Sequence, residues 1–153
     1  MDLVEGLHVG VTKAPTGAVL SLAVVLASVA LLTIGWRLAV HKRFVAHRAV
    51  QTAAVAMDAA VALIWMVPSL LRNVLPEIPA RLGQAPYASA VVHAVLGAIA
   101  AVLGIYVVLA ASRLLPARLS FTRFRPVMRS SYALYLIAAL AGVVLYVIAY
   151  VGI

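Results

Sequence analysis

A lone carboxylate, Asp58, stands in the middle of an apolar run, VQTAAVAMDAAVALIWMV over residues 50–67, that is long enough to cross a bilayer. Burying an isolated charge in hydrocarbon costs several kcal/mol, so such a residue is expected to face a protein interior or a water-filled cavity. There it could relay protons, hold a cation or hydrogen-bond a neighbouring helix. At about 100° per residue, His47, Gln51, Asp58, Trp65 and Ser69 fall within about 40° of one another on a helical wheel. They form one polar stripe, and the opposite face is Val, Ala, Leu, Ile and Met.

The histidines offer metal or haem chemistry. His93 shares a stripe with Gly97, Ala100, Gly104 and Ala111, and its imidazole suits haem iron or copper or an interhelical hydrogen bond in a seam of small residues. His41 and His47 lie among Lys42, Arg43 and Arg48; this cluster could hold a lipid phosphate or a haem propionate, or serve only to fix topology. A haem held by two histidines needs them at matched depth, and the residue able to swing toward His93 is His8 in the N-terminal lead. At about 1.5 Å of rise per residue, Asp58 lies roughly 15 Å from the basic end of its helix and His93 roughly 9 Å from the opposite face. Trp65 and Tyr146 fall at a depth similar to His93, so a cluster of these three above Asp58 is geometrically allowed. With no cysteine in the chain, disulfides, thiolate metal sites and covalent c-type haem are excluded. No hydrolase elbow, phosphate-binding loop, zinc-protease motif or paired catalytic carboxylates occur, and the expectation is a protein that is not an enzyme.

The elements that position these residues follow from composition. Hydrophobic residues make up 66% of the chain and charged residues 10%, with a mean hydropathy of +1.14, values outside the soluble range. The 153 residues suit a single all-α membrane domain of four spans, expected at 17–40, 48–70, 87–111 and 130–151, without a cleaved signal or a C-terminal domain. On the first, Ser21, Ser28 and Gly35 recur on one face; on the last, Ser131, Tyr135, Gly142 and Tyr146 do. Tyr132 and Tyr150 read as interfacial anchors. Between spans two and three, NVLPEIPARLGQAP carries three prolines and reads as an irregular surface cap. The net charge of +8 is concentrated in the connectors after spans one and three, where orientation and anionic lipid account for it and nucleic acid is not implied. Arg37, Lys42, Arg43 and Arg48 in one connector, and Arg113, Arg118, Arg123, Arg125 and Arg129 in the other, outweigh Arg72 and Arg81 against Glu77 in the middle loop. The positive-inside rule then places both termini and the proline-rich loop outside a bacterial cytoplasmic membrane.

A His-Arg pair opening a span (His47, Arg48), a Tyr and a His opening the next (Tyr87, His93), and the segment RxxxRSSYALYLIAALAGVVLYVIAYV after a basic loop resemble a small four-helix bacterial membrane family catalogued as a domain of unknown function. Some of its members are maturation factors for haem–copper cytochrome oxidase. The likeness covers about residues 41–151. It implies a non-enzymatic accessory or maturation protein of a haem–copper or related respiratory complex, with other membrane subunits as partners and His47 and His93 as candidate functional histidines; the cofactor stays open between haem, copper and none. Where many members carry His before the last helix, this chain has Arg123, Arg125 and Arg129. Two other readings stay open: a structural subunit of a larger redox complex, without a cofactor, and a proton- or cation-coupled carrier centred on Asp58.

Overall fold

The computed structural model describes residues 14–119 and 124–151, so His8 lies outside the described residues. Within them four helices are long and apolar enough to cross a membrane, and the chain is a multi-pass helical membrane protein. In hydrocarbon only internal hydrogen bonding satisfies the backbone, and apolar runs of this length meet that demand as helices.

Helix α1 (Thr16–Val40) starts after Pro15, whose extended backbone (φ −64°, ψ 148°) suits the first position before a helix. Helix α2 (Phe44–Val61) runs on through a π turn at Ala62–Met66, an α turn at Val67–Ser69 and a second π turn at Leu70–Val74. A 3-10 turn at Leu75–Glu77 and an α turn at Ile78–Arg81 complete this path. Helix α3 is Ala85–Ala111, and α4 is Phe124–Tyr146, extended by a π turn at Val147–Val151.

Two expected boundaries are corrected. The segment after position 70 is helical rather than irregular. Pro76, Pro79 and Pro86 each sit in the first turn of a short or long helix, where the missing N–H has no intrahelical partner to lose. Pro68 lies inside the helical path, and the widened π turn just before it gives the ring room against the preceding carbonyls. The last helix begins at Phe124, not at position 130, so the basic segment FRPVMR forms its opening turns.

The bundle is two hairpins. Packing is closest between α1 and α2 and between α3 and α4; the α1–α4 and α2–α3 contacts that join the hairpins are sparser. The α1 and α3 C-termini close in the same way. Lys42 N–H reaches Ala39 O and Arg43 N–H reaches Leu38 O; Arg113 N–H reaches Ala110 O and Leu114 N–H reaches Leu109 O. This is the Schellman pattern, and its left-handed position, which favours glycine, is held by Lys42 (φ 60°) and by Arg113 (φ 57°). The shared core is built of small and medium side chains, Leu32, Ala54, Val55, Ala100, Tyr135 and Ala138, which lets helix backbones approach closely where no hydrophobic effect drives them together.

Candidate functional site between the hairpins

The polar stripe of α2 lies along the small-residue stripe of α1. His47 Nδ1 bonds Gly35 O at 2.8 Å, and Gln51 Nε2 donates to Leu32 O at 3.2 Å. A methyl group added to Gly35 would meet that Gln51 amide at 2.7 Å. One helical repeat further, Asp58 faces Ser28. At the far end the Trp65 ring fills the notch left by Gly17. Four side chains expected on one stripe therefore do share a face, and that face is turned to α1.

His93 is placed differently. Its Nδ1 bonds Ala138 O of α4 at 3.0 Å, and its ring lies over Gly142, where an added methyl group would meet Cε1 at 2.8 Å. Of the three residues expected to cluster, Trp65 packs on α1, His93 packs on α4 one turn from Tyr146, and Tyr146 tilts against Tyr150 with ring centroids 5.3 Å apart. Gly97, expected in the close seam, has open space around it, with nothing within 4 Å of an added methyl group. Tyr132, expected as an interfacial anchor, stacks on Trp36 at 6.3 Å and pairs its hydroxyl with Thr33 at 2.9 Å, tying α4 to α1.

Both imidazoles donate from Nδ1, because a carbonyl oxygen only accepts. Nε2 is then the ring nitrogen that a metal would use. Yet among the described residues no three His, Asp or Glu side chains come together to hold a metal ion. His47 and His93 also fasten different hairpins. The donor set present does not fit a chelated copper ion, and a haem would find one imidazole at a time.

The feature that gathers the most chemistry is a cavity of about 430 Å³ lined from all four helices. Its body is apolar, with Leu32, Val55, Val107, Val108, Ala110 and Ala111 on the wall and Tyr135 among its lining residues. Tyr135 crosses to Gly104 on α3, its hydroxyl touching the place where a side chain would begin. The helix-terminal residues of the lining are Phe44, His47 and Arg48 of α2, Arg113 just past α3, and Met128 of α4. The opening therefore lies at the basic end of the bundle. Three polar groups on the wall already have partners: His47 on Gly35, Gln51 on Leu32 and Tyr132 on Thr33. The two arginines have no ion-pair partner among the described residues. The only carboxylates among the described residues are Asp58, inside the bundle, and Glu77, which pairs with Arg81 at 3.1 Å near the other end.

Sequence reasoning picked out His47 and Gln51 for this region and passed over Arg113 and Tyr135 as site residues. Arg113 reads as one cation in a topogenic loop, and only the folded α3 terminus brings it into the same lining as Arg48. Searches against protein-family models, curated proteins and solved structures return no match to this chain.

Proposed function

We propose that the chain is a non-enzymatic accessory protein of a larger membrane assembly in the bacterial cytoplasmic membrane, and that its working site is the cavity between the hairpins. The basic end, with the mouth of the cavity, faces the cytoplasm, as the positive-inside rule requires. The assembly is of the haem–copper or related respiratory kind that the resemblance implies. One observation carries the reading: a cavity of about 430 Å³ drawn from all four helices, apolar within and basic at its opening. That is the form of a binding site, concave and mostly apolar with a few placed polar groups. His47 and His93 are fasteners in this account. Each spends its Nδ1–H on a carbonyl of the adjoining helix, a bond worth roughly 0.6 to 2 kcal/mol within a membrane.

The test is a deletion strain complemented with wild-type protein, His93→Gln or His93→Ala, read by the reduced-minus-oxidised oxidase spectrum and by oxygen uptake. Loss of the oxidase signal on deletion, with recovery by wild type and His93→Gln, supports the reading. A normal oxidase in the deletion strain overturns the respiratory part of it.

A second reading, the carrier centred on Asp58, is favoured by Ser28. Ser28 is 1% exposed and its hydroxyl faces the Asp58 carboxyl, so the one carboxylate inside the bundle stands beside a second oxygen that a cation or a proton could share. Proton or Na⁺ flux into proteoliposomes that Asp58→Asn abolishes would establish it, and equal flux with and without protein would end it.

A further inference from the structure

Given the proposed role of the cavity, we propose that its occupant is an anionic phospholipid of the same leaflet, with the phosphate between Arg48 and Arg113 and one acyl chain in the apolar body. Size, wall chemistry and charge converge on this ligand.

The volume of about 430 Å³ equals that of roughly fourteen water molecules at about 30 Å³ each. That is room for a single flexible chain, with the second acyl chain left in the bilayer. The wall is mostly apolar: of its uncharged polar side chains, His47, Gln51 and Tyr132 are already hydrogen-bonded to protein, which leaves the hydroxyls of Thr52, Ser131 and Tyr135. Three hydroxyls are few for a sugar or nucleotide, whose many polar groups each need a partner once desolvated, whereas an acyl chain asks for none. At the opening, Arg48 and Arg113 lack a carboxylate partner among the described residues, and guanidinium groups bind phosphate with paired donors. Arg113 also occupies a backbone position that favours glycine (φ 57°). A bulky residue held there is a local strain of the kind found at ligand clamps. The cavity opens at the level where lipid phosphates lie, since these residues end helices that span the hydrocarbon.

Native mass spectrometry of the full chain, released from nanodiscs of equimolar phosphatidylglycerol and phosphatidylcholine, tests the proposal directly. Wild type is expected to retain one phosphatidylglycerol, favoured over phosphatidylcholine by roughly tenfold or more, given about 1 kcal/mol per basic residue near the surface. Arg48→Gln with Arg113→Gly should bring that ratio to the bulk value. Glycine at position 113 suits the left-handed backbone, so a folding defect is not expected there, and circular dichroism with a thermal melt checks this. Val107→Phe, which fills the body without changing charge, should lose the retained lipid while both arginines remain. Equal retention of the two lipids by wild type, or full retention by Val107→Phe, overturns the proposal. So does stoichiometric displacement of the lipid by haemin, which would assign the cavity to a different anionic amphiphile. Oxidase maturation is not read here, so failure of lipid binding and failure of the accessory role are separate results.

Discussion

At the residue scale, the glycines divide by what stands opposite them. Gly142 lies under the His93 ring and Gly97 faces open space. Adding a methyl group at Gly142 must push the imidazole off Ala138 O, and overpacking of this kind costs about 1 to 3 kcal/mol. The same addition at Gly97 meets nothing and gains helix propensity, up to about 1 kcal/mol. Thermal melts in detergent should therefore show Gly142→Ala destabilised and Gly97→Ala unchanged or improved. Equal losses at both positions would contradict the packing described here. The stripe bearing Asp58 was legible because a period of 3.6 residues puts His47, Gln51, Asp58 and Trp65 on one face whatever surrounds them. What that face meets was not legible. The partner surface is a row of Gly17, Ser28 and Gly35 on α1, and small residues signal close approach without naming the neighbour.

At the element scale, the helices outrun the apolar stretches that announce them. Hydropathy marks where hydrocarbon begins, but a helix continues into the headgroup region wherever its backbone bonds are still satisfied, so α2 begins at Phe44 and α4 at Phe124. The proline-rich connector was misread for a related reason. Proline breaks a helix interior but opens a helix well, and Pro76, Pro79 and Pro86 all stand at openings. The paired Schellman endings were also hidden, because Lys42 and Arg113 occupy positions that usually announce themselves as glycine. Lys42→Gly should relieve left-handed strain of about 1 to 2 kcal/mol and raise the melting temperature of the purified protein. A lower melting temperature would mean that the lysine side chain holds the hairpin in a way the backbone does not.

At the scale of the whole molecule, four spans and an all-helical fold followed from composition alone, while the division into two hairpins with a cavity between them did not. That division depends on which small-residue stripes meet, and four mutually compatible stripes allow several pairings. The arginine asymmetry sets the expected topology. In right-side-out vesicles a Gly83→Cys variant should react with a membrane-impermeant maleimide, and an Ala46→Cys variant should not; the reverse pattern would invert the orientation and place the cavity mouth outside. The central claim is that the cavity does the work. Its most direct measurement is the oxidase spectrum of deletion cells complemented with Val107→Phe, at protein levels matched to wild type by blotting. A marked loss of the oxidase signal is expected from this uncharged change at the cavity wall, with the bundle intact by thermal melt. A full oxidase signal at normal abundance would contradict it.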